Sequence, residues 1–541
     1  MAGSLVWPLL GALLVYFLLR WKTDSRLKHI PIVRFYKYLP DMFNRMIFYP
    51  WATWLIDSGY QKYKDAPFRI LTGDGELVVL PVKYLPEMKH FPPTVVSSLD
   101  AQYENALGDY TNIIINSALP SKTVRRRLTP NIARVIPWVI DELHYAFNTA
   151  IPECEDDWVS IKPHQMFVRL VARATSRVLA GDVLRRNEEW LNTASSYPVN
   201  VGITILILRP FPTWLRPLIA PFLPSVRQMK AQLHFVKSLF IPMINERWVA
   251  KEKALAENDP GYVPPDDFLQ WMLDMAVDEK DKDAEILAHH MLLLMSLAVV
   301  HTSSMAMCHA LYDLLLMPEY LGPLREEINE TLPGGWDNAT KSSLDNQVRM
   351  DSFLKESQRF GPPGELSFHR IVMKSFTLSD GLFVPEGTHI CFAAGAISKD
   401  PAFVANPLAF DGFRWCQNPK DRNALETFTR HGEGSGEKQQ IIGAEQETTD
   451  DSKSAPILST SNKFVDITAP SMHFGAGFQA CPGRHFASCS IKAVFSKIIM
   501  DYDFKYEDGR DNRKPASMWV GEQILPNTST PVMFRKRAIA A

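Results

Sequence analysis

Nineteen residues pass before the first charge, as MAGSLVWPLLGALLVYFLL runs uninterrupted to Arg20. Wound as a helix at 1.5 Å per residue, this run covers about 28 Å, close to the thickness of the hydrocarbon layer of a bilayer. Arg20, Lys22, Arg26 and Lys28 follow, with Trp21 at the expected interface. The pattern predicts an N-terminal transmembrane helix over residues 1–20, single-pass, with the remainder of the chain facing the cytoplasm. A cleaved secretory signal, the rival reading, would carry basic residues before the apolar run and a small-residue cleavage site after it. Residues 21–50, rich in proline and aromatics, read as a linker near the membrane surface.

Short apolar runs at 68–72 and 76–80, divided by Gly73 and Gly75, read as strands. Helical periodicity covers 122–150, with an interruption expected near Pro137, then 163–180 up to Gly181, and again 227–256. Between the last two, Pro210, Pro212, Pro217, Pro221 and Pro224 mark a loop-rich edge. The stretch 265–316 reads as two or more helices, and inside it Met291 to Val300 is apolar apart from Ser296. A helix apolar all round belongs inside a large protein or a membrane. The neighbouring His289, His290, His301 and Thr302 favour the protein interior over a second span. A further helix is expected over 344–360, and short strands over 368–396. From His431 to Asn462 the chain is polar, Gly/Ser-rich and free of Phe, Tyr and Trp. That segment cannot bury enough apolar area to offset its ordering entropy and is expected to be a disordered surface insertion.

Composition narrows the classes. Hydrophobic residues make up 46% and charged residues 22% of the 541, which suits a large folded core. A net charge of -2 gives no reason to expect a nucleic-acid partner. The six cysteines include no CxxC or other close spacing, so neither a zinc cluster nor a disulfide framework is expected.

The strongest local feature is Phe474-Gly475-Ala476-Gly477-Phe478-Gln479-Ala480-Cys481-Pro482-Gly483. Small residues around a cysteine let the backbone turn tightly and approach a planar group. Backbone N–H groups aimed at the sulfur stabilise a thiolate, the form that ligates metal. The segment from Arg484 to Ile499 has the spacing of a helix, whose N-terminus also favours negative charge. On these residues alone, a buried and inert cysteine remains an equal reading. A second feature is Glu356-Ser357-Gln358-Arg359, whose charged ends share a helix face. Taken alone it could be an ordinary surface pair.

The cysteine loop resembles the haem-binding loop of cytochromes P450, with Phe474, Gly477, Cys481 and Gly483 at that family's spacing. The whole chain is similar to fungal microsomal enzymes that oxidise terpenoids and other secondary metabolites. The resemblance implies a mainly α fold with small β-sheets, residues 51–541 forming one catalytic domain on the endoplasmic reticulum membrane. It implies haem b with Cys481 as axial ligand and only metal-binding residue. It identifies Glu356 and Arg359 with the ExxR element, joined by Arg414 into a buried triad that supports the haem pocket. The apolar helix resembles the one over the distal haem face, so Thr302 would help deliver protons during oxygen activation. His301 stands where the family carries an acid. It could relay protons, be a satisfied structural histidine, or shape the substrate pocket.

Two departures concern how haem is anchored. Gln479 stands where a basic residue is usual and would offer a propionate a neutral hydrogen bond. Lys122, Arg125 and Arg127 are candidates for the other propionate, with Arg127 preferred, and His369 and Arg370 could supply a further contact. The implied reaction is monooxygenation of a lipophilic small molecule, with electrons from NADPH arriving through cytochrome P450 reductase; cytochrome b5 is an admissible second partner. A terpenoid or related polycycle is the first choice of substrate, and a fatty acid or sterol the alternative. A haem-binding sensor or electron carrier is the reading from another class.

Overall fold

The computed structural model describes residue 11 and residues 25–211, 213–425, 462–510 and 513–538. The anchor expected over residues 1–20 and the insertion expected over 431–462 lie outside the described residues, apart from Gly11 and Asn462.

Eight helices frame the site: α1 (Asp41–Lys62), α2 (Ile132–Ala150), α3 (Pro163–Leu184), α4 (Glu188–Leu208), α5 (Pro224–Glu257), α6 (Ala284–Leu316), α7 (Val348–Phe360) and α8 (Arg484–Asp501). Each begins or ends for a local reason. Pro163 opens α3, where its missing N–H costs nothing. Asn187 and Asp283 cap α4 and α6 by accepting from Trp190 N and Glu285 N. Gly181 breaks α3 near its end at φ 67°, as its position in the sequence suggested. In α2 the apolar positions Val135, Ile136, Val139, Ile140 and Leu143 recur at three and four and are all buried. Each such side chain contributes roughly 1.5–3 kcal/mol by leaving water. The expected interruption at Pro137 is absent: α2 runs through it, and the irregular turns fall earlier, over Val124–Leu128 and Thr129–Asn131.

Helix α6 is the axis of the larger core. Its middle, Leu294–His301, widens into a π-helical turn that packs on α3 and α4, while the flanking halves lie against α5, α7 and α8. Although α6 and α4 are long and apolar enough to span a membrane, more than half of the apolar window of α6 is buried inside the protein.

The smaller core surrounds a six-stranded sheet in the order β1-β2-β3-β6-β5-β4. Its strands are β1 (Ile32–Val33), β2 (Phe68–Leu71), β3 (Glu76–Val79), β4 (Val96–Ser97), β5 (Ser367–Val372) and β6 (His389–Phe392). β5 pairs antiparallel with β6 through a bulge between Ser367 and Arg370. A hairpin of β7 (Met518–Val520) and β8 (Gln523–Leu525) turns at Gly521, φ 59°. Strands Val159–Ile161, Tyr502–Lys505 and Val532–Lys536 form a separate three-stranded sheet. Part of the expected linker is folded instead: Ile32–Val33 joins the sheet, and α1 begins at Asp41.

Candidate active site

The loop Phe474–Gly483 delivers Cys481 to the start of α8. Gly475 and Gly477 hold positive φ, 73° and 69°. A Cβ on Gly477 would meet the Lys89 carbonyl oxygen at 2.2 Å, so only glycine allows the loop this close to a neighbouring backbone. Cys481 N donates to Phe474 O at 2.9 Å and Phe478 N to Lys89 O at 3.1 Å. Cys481 is the one cysteine of the six that keeps partial accessibility. Burial pushes its thiol up, but N–H groups of Gly483 and Arg484 and the charges of Arg484 and Arg125 pull the other way. Cys308 has only burial acting on it and behaves as an inert core thiol.

Glu356, on α7, is fully buried and surrounded by donors. Arg359 grips it with two bonds, Nη2 to Oε1 at 2.7 Å and Nε to Oε2 at 3.0 Å. Arg414 Nε reaches Oε1 at 3.2 Å, Trp415 Nε1 reaches Oε2 at 3.1 Å, and Asp411 N reaches Oε1 at 3.1 Å. Arg359 and Arg414 spend other donors on the Ala409 carbonyl. A buried carboxylate persists only with such full satisfaction, and here the two arginines tie α7 to the chain leading toward the cysteine loop.

Among the described residues, two guanidinium groups beside that loop have no carboxylate partner. Arg370 donates to His369 O at 2.8 Å and to Ala476 O at 3.4 Å, and its Nε is buried with no partner. Burial alone pushes its pKa down to about 10. Arg125 stands 5.2 Å from the Phe478 ring centre and is lowered by burial and by Arg484. Buried cations are costly without an anion. A thiolate-stabilising loop flanked by buried Arg370 and half-buried Arg125 therefore fits haem, which brings iron for the sulfur and two carboxylates for the cations.

Two anchoring expectations change. Arg127 is exposed to solvent, and Arg125 takes the inward position two residues earlier. Lys122 is exposed as well. Gln479 is engaged elsewhere: Oε1 accepts from Ser98 N at 2.8 Å, and Nε2 donates one of its two hydrogens to Val96 O at 2.7 Å. It fastens the cysteine loop to β4.

On α6 the π turn ends at His301, and Thr302 follows. Ala298 and Thr302 are exposed on a helix otherwise largely enclosed. Thr302 Oγ1 donates to Ala298 O at 2.9 Å. His301 Nε2 lies 2.7 Å from Ser195 O on α4. A carbonyl only accepts, so that nitrogen carries the hydrogen. Burial lowers the His301 pKa, and its neighbour His164, ring centres 6.0 Å apart, falls to about 4. The sequence reading missed Arg484, whose Nη1 donates to Cys481 O at 3.0 Å. Its position directly after Gly483 was the available signal.

A family model described as cytochrome P450 matches residues 115–436, a span that includes Glu356, Arg359 and Arg414 and ends before the cysteine loop. Cytochrome P450 monooxygenase paxP of Penicillium paxilli is 41% identical over 542 residues, covering 100% of this chain and 96% of its own. Cytochrome P450 monooxygenase AtmP of Aspergillus flavus is 42% identical over 506 residues, 94% of this chain and 89% of its own. The crystal structure of cytochrome P450DA heme domain shares the fold, with a TM-score of 0.61 at 14% identity over 94% of this chain and 98% of that one.

Proposed function

Because the chain belongs to the cytochrome P450 family, we propose that Cys481 is the axial thiolate of its haem and that Arg370 and Arg125 hold the haem carboxylates. The enzyme is a haem-thiolate monooxygenase that oxidises a lipophilic secondary metabolite. A polycyclic terpenoid or a close relative suits the apolar wall of α6, which excludes water and offers one hydroxyl, that of Thr302. When bound, haem supplies the activation of dioxygen and the insertion of one oxygen atom into a C–H bond, with the thiolate donating electron density.

The chain's own residues do the rest. Gly483 and Arg484 direct N–H groups at the sulfur and favour its anionic form. Glu356, Arg359 and Arg414 fix the segments behind it. Thr302 holds a proton on the distal side, where its hydroxyl can both donate and accept. Residues 51–541 form the catalytic domain, and electrons come from NADPH through a membrane-bound reductase, with cytochrome b5 as an accessory donor.

The proposed location is the cytoplasmic face of the endoplasmic reticulum, held by residues 1–20. Exposed Phe43, Met46, Trp51 and Trp54 on α1, and Ile203, Leu206 and Ile207 on α4, support attachment to a lipid surface. Tyr49 of α1 and Arg209, just past α4, both approach Gly73, where an added Cβ would meet Tyr49 Oη at 2.7 Å and Arg209 O at 3.2 Å.

The observation that carries the reading is Cys481, partly accessible and ringed by donors, next to two arginines with no carboxylate. The test is the absorbance band that reduced haem-thiolate proteins give with carbon monoxide, together with NADPH-dependent product formation in microsomes containing reductase. Cys481→Ser removes both while the protein remains folded. A band retained in that variant would overturn the assignment.

A further inference from the structure

Helix α7 buries polar groups on more than the face that carries Glu356 and Arg359. Lys355 and Gln358, also three apart, share the neighbouring face and are only 1% and 7% exposed. Together they line a cavity of about 40 Å³ between α7 and the chain leading into the cysteine loop, with Ser367, Trp415, Ser471 and His473 among its other walls. A space of that size has room for water or for one small ion.

The Lys355 ammonium is poorly matched for so deep a position. Its bond from Nζ to Lys463 O is long, 3.4 Å, and Nζ lies 4.9 Å from the centre of the Trp415 ring. Among the described residues no carboxylate forms an ion pair with it. Asp351 is paired with Lys492 at 3.1 Å, and Asp466 accepts from Lys463 N. Burial pulls the Lys355 pKa down to about 8, with Asp466 and Asp351 pulling weakly the other way, so the group is still a cation at pH 7. A buried charge without a counter-ion is strongly destabilising.

The serine hydroxyls of the cavity have already committed their hydrogens. Ser367 Oγ donates to Met472 O at 2.7 Å. His473 Nε2 lies 3.2 Å from Phe464 O, which only accepts, so that nitrogen carries the hydrogen. Burial and the charge of Lys355 lower the His473 pKa to about 3, so its Nδ1 is bare and accepts from Ser471 Oγ at 3.2 Å. Gln358 differs: its amide makes no hydrogen bond among the described residues, yet neither amide atom is sealed off. The hydrogens left for a cavity ligand are those of Lys355 Nζ and Gln358 Nε2. Water could meet those hydrogens, but only an anion also balances the charge.

We propose that this cavity binds a small monovalent anion of the size of chloride, held by Lys355 Nζ and Gln358 Nε2, which fastens α7 to the segment leading to Cys481. An organic anion such as gluconate is too large for it. The site stands apart from the haem and substrate assignments and does not depend on them.

The test is thermal unfolding of the full-length, haem-loaded protein at pH 7 and constant ionic strength, as gluconate is replaced by chloride. A single site present only in the folded chain raises the folded-to-unfolded ratio about elevenfold at ten times the dissociation constant, so the midpoint climbs with the logarithm of chloride concentration. Lys355→Met removes the cation and keeps a long side chain. In gluconate it is at least as stable as the wild type, and it loses most of the response to chloride. Gln358→Leu keeps the cation and weakens the dissociation constant about tenfold. Broadening of the chloride-35 resonance, reversed by bromide, reports binding to the wild type even if Lys355→Met fails to fold. Equal wild-type midpoints in the two anions, a chloride response undiminished in both variants, or the same chloride-35 linewidth for wild type and Gln358→Leu overturns the site.

Discussion

Behind Cys481, α7 and α8 bury charge: Glu356 with Arg359 and Arg414, and Asp351 with Lys492 at 3.1 Å. The π turn of α6, from Leu294 to His301, buries almost none; its most exposed residue is Ala298, and exposed Thr302 follows the turn directly. The first region is held by interactions that tolerate no missing partner. The second is held by apolar packing, which tolerates changes of shape. The difference teaches that the two sides fail differently. Damage behind the cysteine shows as lost folding and lost haem, and damage in front shows as lost product from a protein that still folds.

The largest effect is expected behind the cysteine. Glu356→Gln leaves Arg359 and Arg414 buried without their anion, and breaking a buried pair from one side costs about 3–5 kcal/mol. The expected outcome is little or no haem-loaded protein and a large fall in thermal midpoint. Recovery of wild-type yield and midpoint would place this cluster among ordinary surface pairs.

In front of the cysteine, Thr302→Ala should leave folding and the carbon monoxide band intact. Removing a positioned proton donor lowers product formation by about 10²-fold, while NADPH consumption falls much less. The ratio of product to NADPH consumed is the measurement, and a ratio equal to the wild type's would remove Thr302 from proton handling.

The same contrast explains what could be read from the sequence. Phe474 to Gly483 is contiguous, and Glu356 and Arg359 are three apart, so both are visible as local patterns. Arg414 is 58 residues from Glu356, and only the resemblance joined them. Arg125 and Arg127 are two apart, so on a helix they face different sides. Choosing between them requires the helical phase, which the π turn at Val124–Leu128 shifts. Gln479 was expected at a propionate because its place in the loop suggested so, and its two partners, Val96 on β4 and Ser98 just after it, are more than 380 residues away. His369, offered as a propionate contact, instead has Nε2 3.0 Å from Glu522 Oε1, and it stands in a bulge beside a left-handed Phe368, neither of which leaves a compositional trace. The order of helices was legible because burial imposes a period. The exception at Pro137 shows tertiary packing overriding a local breaker.

The smallest effect separates the roles open to His301. Its Nε2–H is committed to the Ser195 carbonyl, and burial holds its pKa below the usual histidine value, so it is neutral near pH 7. The sign follows: an imidazole that stays neutral in the fold but takes a proton when unfolded destabilises the protein as pH falls below about 6.5. A tether between α4 and α6 needs only a donor. His301→Gln keeps one and should change product formation by less than about threefold, whereas His301→Ala loses one hydrogen bond, about 0.5–1.5 kcal/mol of stability. His301→Gln should also remove this residue's share of the acid destabilisation, measured by thermal unfolding at pH 7.5 and 5.5. A relay predicts the reverse: glutamine cannot titrate, so product formation would fall tenfold or more, and the pH dependence of turnover would change. Measuring both variants across that pH range decides whether the polar group beside Thr302 serves the packing of the distal side or its chemistry.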